Sequence, residues 1–233
     1  MRHARNPTSF MKRTTSALRT AAIAFAAVAA VAAAAAADWT AYHTCEDSRS
    51  EVLITGTSTL HPWTVRGRSI EGTVRFGEEF SLDALAAGEM RGGNAEEALP
   101  VEGELAVPAK TLRSFRDNRP YSDRMDRIML EHLQAEEHPR IEFELVRLKR
   151  AEPEEDGTPV FVAEGDLTVA GATERVLVPV ALSRVDDDRL RLSGEVEMKM
   201  TDFEIDPPRA LGGMIRTGDE IEVSVDWIVV REN

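Results

Sequence analysis

The residues best equipped for chemistry in this chain are His43, His61, His132 and His138, the single cysteine Cys45, and a cluster of arginines. Histidines ligate metals when two or more converge at short, regular spacing. His132 and His138 are six apart with Pro139 directly after the second, which is poor ligand spacing. A solvated or locally bonded role fits these histidines better than a metal site. No G-x-S-x-G nucleophile elbow, no H-E-x-x-H and no glycine-rich phosphate loop is present. The motifs therefore supply no catalytic residue, no metal ligand set and no cofactor site. Cys45 lies in a polar stretch, where it is either an idle thiol or a pairing point between molecules.

The arginines form the one charge feature that stands apart. Between Ala109 and Ile128 the bases are Lys110, Arg113, Arg116, Arg119, Arg124 and Arg127, against Asp117, Asp123 and Asp126. Guanidinium groups present several donors in a planar fork that suits phosphate and carboxylate. Arg113, Arg116 and Arg124 are thus candidates for holding an acidic head group, if this segment lies over a binding site. The alternative is a solvated stretch paired with its own aspartates.

The chain that must position these residues is acidic. Its 233 residues carry 28 Lys+Arg and 41 Asp+Glu, a net charge of −13. That balance argues against nucleic acid as a partner, because phosphate binding needs a positive footprint that an acidic chain supplies only locally. One cysteine excludes an internal disulfide framework and any Cys-rich zinc module. Residues 1–19 are basic without an acid, and Ala21–Ala37 is unbroken apolar sequence ending in Ala35-Ala36-Ala37 before Asp38. That is the pattern of a cleaved export signal, and the run is short and weakly hydrophobic for a permanent span. The expected layout is a signal peptide over 1–37, an extension over 38–50 and one domain over 51–231. Periplasmic localisation follows from it, with no membrane span left after cleavage.

From about Glu51 the apolar residues fall on every second position, the mark of half-buried antiparallel strands. Leu99, Val101, Gly103, Leu105 and Val107 alternate with Glu102 and Glu104. Similar rows run through Ile141–Leu145, Phe161–Val169, Val176–Leu182, Leu190–Met200 and Ile221–Val229. With strands near 51–58 and 63–76 the count is about eight. Glu155-Asp156-Gly157, Gly171 and Asp186-Asp187-Asp188 read as turns. The exception is one short helix over about 122–134, with Met125, Ile128, Met129 and Leu133 on one face, Ser122 as its cap and Pro139 beyond it. Eight strands with one apolar face must bury it together, in a sandwich or a closed barrel. A sandwich interdigitates its inner residues, whereas an eight-stranded barrel can instead enclose a small ligand. Gly103, Gly165 and Gly194 sit in the inward phase, as barrel-corner geometry or as space for a guest.

Five blocks in order then resemble the YceI-like proteins. They are Thr57-Ser58-Thr59-Leu60-His61-Pro62-Trp63-Thr64-Val65-Arg66-Gly67, Arg124-Met125-Asp126-Arg127-Ile128-Met129, and His138-Pro139-Arg140-Ile141-Glu142-Phe143. Gly165–Thr173 and Lys199–Pro208, the latter with Gly218-Asp219-Glu220-Ile221, complete the set. The resemblance implies an all-β fold, an antiparallel eight-stranded lipocalin-like barrel whose interior holds a polyisoprenoid or other long-chain lipid. It also implies export, in agreement with the leader. On that reading the inward residues Leu105, Phe143, Phe161 and Leu167, with Val178, Leu192, Met198, Val225 and Trp227, are the candidate lining. The expected function is binding without catalysis, the partner being an isoprenoid or fatty lipid. The alternative is an interaction module with a packed core and no guest. A homodimer is left open.

Overall fold

The period-2 rows become strands because each can bury one face while its backbone pairs with neighbours. The computed structural model describes residues 39–45, 49–78, 81, 98–151 and 160–232. The expected leader over 1–37 and the expected turn at Glu155-Asp156-Gly157 lie outside these residues.

In chain order the strands are β1 (Thr40–Thr44), β2 (Glu51–Ser58), β3 (Trp63–Gly67), β4 (Glu71–Phe76), β5 (Ala98–Leu99), β6 (Val101–Pro108), β7 (Arg113–Arg116) and β8 (Arg119–Pro120). A helix, α1 (Asp123–His132), follows. Then come β9 (Arg140–Arg150), β10 (Val160–Val169), β11 (Ala172–Arg184), β12 (Arg189–Lys199), β13 (Arg209–Ala210) and β14 (Ile215–Arg231).

Every principal pairing is antiparallel, and the sheet closes on itself as an eight-stave barrel. Three staves are broken in two. β1 and β2 follow one another along the same edge of β14, at residues 229–231 and 217–226. β4 pairs with β1 and β3 with β2; β6 then pairs with β4 and β7 with β3. β9, β10, β11 and β12 complete the ring back to β14. Thr40–Thr44 of the expected extension over 38–50 belong to the ring. This strand, β1, bridges β4 and β14 and closes the ring, a role its brief alternation around Tyr42 does not announce.

Strand pairing completes the ring at the end marked by β1, called here the closed end. At the other end, β7 turns into β8 instead of pairing with β9. The two-residue turn Asp117-Asn118 has φ of 48° and 63°, as a type I′ hairpin requires. Beyond it stands α1. Its cap is Ser122, whose Oγ accepts from the Met125 amide at 3.3 Å. Asp126 Oδ1 accepts from the Ser114 amide of β7 at 2.7 Å, and the buried Ser114 Oγ donates to the Ser122 carbonyl. These bonds dock the helix on β7, while Met129 and Leu133 pack against the barrel core.

The core is uneven along the barrel. At the closed end Tyr42, Phe76, Phe161, Leu182, Leu190 and Val229 are at most 1% exposed. Burying such a side chain contributes about 1.5–3 kcal/mol, so this end is the anchor of the fold. Tyr42 and Phe76 meet edge to face, with ring centroids 5.8 Å apart. A second cluster of Val169, Phe203 and Ile205 covers the opposite end, built on the 3-10 turn Met200–Phe203.

Candidate binding cavity

Between these two clusters the inward row does not pack shut. Leu182 and Leu190 are buried, but their successors towards the other end, Val180, Val178 and Val176 on β11 and Leu192, Val196 and Met198 on β12, keep accessible surface. The space they face is a cavity of about 180 Å³. Phe76, Leu182 and Trp227 bound it at the closed end, and Ile141, Leu167 and Met198 at the other. Among the described residues, Glu104 is the one ionisable residue of the lining, and it lies in the outward phase of β6 with an exposed side chain. A wall of hydrocarbon offers no donor, acceptor or charge to a reacting group. What it can do is bury an apolar guest.

The structure places the expected lining as follows. Leu105, Phe143, Leu167, Val178, Leu192, Met198, Val225 and Trp227 all border the cavity. Phe161 does not; it is 1% exposed and belongs to the packed closed end, one turn of the pleat beyond the cavity floor. Val52, Val74 and Phe76 also border it and were not among the candidates. The i, i+2 spacing of Val74 and Phe76 is the signal that could have found them. Trp227 ties the floor to the ring closure: its Nε1 donates to Thr44 Oγ1 of β1 at 3.0 Å. Its ring lies over Gly72 of β4, where a Cβ would sit 3.1 Å from Cζ2.

On β9 the phase changes once. Leu145 and Leu148 both face inward because the pairing with β10 slips between Glu164 and Gly165. Val146 is the residue left over in that bulge, and it is exposed.

The three inward glycines serve different ends. At Gly165 a Cβ would lie 2.3 Å from Phe143 Cζ and 2.6 Å from the Glu144 carbonyl, so the glycine exists to let the ring lie flat. At Gly194 the Pro179 carbonyl would be 2.9 Å away. At Gly103 the nearest atoms, Val74 Cγ2, the Thr73 carbonyl oxygen and Leu145 Cβ, would stand at ordinary contact distances of 3.5, 3.6 and 3.7 Å. Gly103 alone of the three adds free room to the cavity.

The candidate head-group arginines do not converge on this space. Arg113 and Arg116 are three apart on β7 and so project from opposite faces. Arg113 donates to the Lys110 and Leu112 carbonyls at 2.8 and 2.7 Å and approaches Asp126 at 3.9 Å. That is the pairing with its own aspartate. Arg116 lies 5.5 Å over the Tyr121 ring, and Arg124 is exposed on α1. None of the three lines the cavity. His138 packs its ring over Gly171 in the β10–β11 turn. Among the described residues no group of His, Cys, Asp and Glu is placed to hold a metal.

The perturbed ionisable groups likewise sit outside. Asp219 is held below the usual carboxylate range, first by the hydrogen bond from Thr201 Oγ1 (2.7 Å) and then by the Thr201 amide (3.0 Å). Asp186 is lowered chiefly by its hydrogen bond from Arg189, in the β11–β12 turn. Asp219 steadies the 3-10 turn that carries Phe203 over the cavity. No described helix is long and apolar enough to cross a membrane.

A closed eight-stranded antiparallel barrel around an apolar cavity defines a binding-barrel class of protein. The chain belongs to the YceI-like family, whose domain model matches residues 43–228. Solved structures share the fold at low identity. Burkholderia cenocepacia BcnA aligns at a TM-score of 0.52 with 14% identity, over 77% of this chain and 95% of that one. A Saccharophagus degradans structure, described as a polyisoprenoid binding domain implicated in plant cell wall breakdown, aligns at 0.51 with 9% identity, over 84% and 99%. Among curated proteins none matches the sequence.

Proposed function

We propose that this protein is an exported carrier that holds a long-chain lipid, polyisoprenoid or fatty, inside the barrel and shields it from water. The observation that carries the reading is the apolar cavity of about 180 Å³. By the same measure a water-sized group needs roughly 10–15 Å³, so about a dozen methylene-sized groups fit. At about 0.8 kcal/mol per CH₂, a chain of that length gains on the order of 10 kcal/mol on leaving water. Useful affinity therefore needs no polar contact. The polyisoprenoid binding described for the Saccharophagus domain supports the choice of guest. The leader over residues 1–37 supports export to the periplasm.

Native mass spectrometry of the protein purified from its own envelope tests the proposal. The expected result is a bound lipid mass released by organic solvent. A folded protein that carries no lipid and takes up none from an added polyprenol would replace the carrier with an interaction module. Export has its own test: N-terminal sequencing should find a start near Asp38, and an intact Met1 on the envelope form would refute cleavage.

A further inference from the structure

The end of the barrel opposite β1 carries an apolar cluster that the cavity does not use. Among the described residues, Leu60 and Met214 are the most exposed large hydrophobic side chains, at 66% and 75%, and Tyr121 is 40% exposed. The three belong to separate segments that the fold joins. Thr59 Oγ1 donates to the Met214 carbonyl, and the Thr59 amide to the Arg216 carbonyl at 3.0 Å. His61 follows Leu60 and meets the Tyr121 ring edge to face, with centroids 5.9 Å apart. The segments that carry Leu60, in the β2–β3 loop, and Met214, before β14, are thus joined through Thr59, and Tyr121 is joined to the first through His61.

Arginines rim this cluster. Arg209 and Arg216 are directly opposed on β13 and β14, and both are exposed. Arg116 lies over Tyr121 and is opposed to Arg119 on β8. Arginines on the barrel wall are paired, Arg75 with Glu102, Arg175 with Asp166 and Arg191 with Asp226. No ion pair joins Arg116, Arg119, Arg209 or Arg216 to a described carboxylate. Asp117, Asp206 and Asp219, the acids nearest to them in sequence, form no ion pair with them, and Arg216 Nε donates to the Gly213 carbonyl at 3.0 Å. Exposed apolar side chains beside four arginines that lack a carboxylate partner, on a chain of net charge −13, match an anionic bilayer: the hydrocarbon enters the interface and the guanidiniums meet phosphate.

We infer that the Leu60–Met214–Tyr121 cluster with Arg116, Arg119, Arg209 and Arg216 is a docking surface for an anionic membrane, through which the cavity exchanges its guest. The inference rests on the carrier reading. A chain that is buried equally well in a bilayer and in the barrel has no reason to cross the water between them. Transfer needs contact, and this surface lies at the barrel end that the Val169–Phe203–Ile205 cluster covers, so the guest passes beside or through that cluster.

Co-sedimentation of the full chain with phosphatidylglycerol-containing vesicles and with neutral phosphatidylcholine vesicles tests it. The parent chain should bind the anionic vesicles and release with salt. Leu60→Asp with Met214→Asp, and separately Arg209→Gln with Arg216→Gln, should each weaken that binding by about tenfold or more. Comparison in the same full-length background keeps the contribution of the basic leader constant. Melting temperature should stay at the parent level, while guest uptake from anionic vesicles, read by native mass spectrometry, should slow together with the lost binding. Equal vesicle binding by parent and both folded variants overturns the surface, as does a guest-loaded parent that ignores anionic vesicles. A parent that docks through these residues but never holds a guest ends the carrier reading and leaves the surface standing.

Discussion

Filling the cavity from Gly103 separates a lipid site from a merely loose interior. A Cβ at Gly103 meets nothing closer than 3.5 Å, so Gly103→Phe can send its ring into the cavity without moving the backbone. A benzyl group takes about half of the dozen or so methylene spaces, displacing roughly six carbons of a guest. At ~0.8 kcal/mol each, the loss is about 5 kcal/mol, or a thousandfold to ten-thousandfold in affinity. Stability should move the other way. A strand glycine costs roughly 0.5–1 kcal/mol relative to a side-chain-bearing residue, and the new ring gains apolar contacts. With about 2–4 °C per kcal/mol for a domain of this size, the melting temperature should hold or rise by a few degrees. Gly165→Phe is the control, because its Cβ would fall 2.3 Å from the Phe143 ring. Overpacking there should destabilise by about 1–3 kcal/mol or more. Calorimetry and polyprenol titration of both variants provide the readout. A stable Gly103→Phe that still binds polyprenol at parental affinity refutes the assignment of this cavity as the lipid site. A Gly103→Phe as unstable as Gly165→Phe refutes the claim that the interior is open.

Three further outcomes are expected. The Tyr42 hydroxyl is buried without a hydrogen-bond partner, so Tyr42→Phe should raise stability by about 1 kcal/mol or more in a denaturant titration; a drop would mean that the hydroxyl is engaged by an internal water or the guest. Gly165→Ala should destabilise through the same Phe143 contact, and Phe143→Leu in the double variant should recover part of the loss, whereas strict additivity would remove the ring from the explanation. Because the Asp219 pKa is lowered in the fold, its support of the Thr201 turn is complete above the ordinary carboxylate pKa and lost as pH falls through the lowered value. The Thr201 amide followed by NMR should titrate below the usual Asp range; titration at the ordinary value would count against the bond.

Much of the architecture was legible in the chain itself. Strand alternation from Val101 to Val107 and from Leu190 to Met198 needs only neighbouring residues to state which side is wet. The helix announced itself through Ser122, the 125/128/129/133 spacing and Pro139, and it lies at Asp123–His132. Ala170-Gly171, with φ of 51° and 85°, makes the expected tight turn between β10 and β11. Most of the cavity lining followed from phase alone, since in a barrel the inward phase and the lining are the same set.

Tertiary structure decided what local pattern cannot carry. β1 has one buried residue in five, and its partners β4 and β14 lie far along the chain, so its part in closing the ring appears only when both edges are in place. The bulge at Val146 resets the phase of β9 through its partner strand rather than through its own sequence. Gly165 and Gly103 look alike in the inward row, yet a ring from β9 covers one and open space faces the other. Arg113 and Arg116 share a basic segment, but the pleat sends them to opposite faces. Whether the middle stays open is settled by the number of staves and their stagger, which fix the barrel radius. That radius is a property of the closed ring, and no single strand holds it.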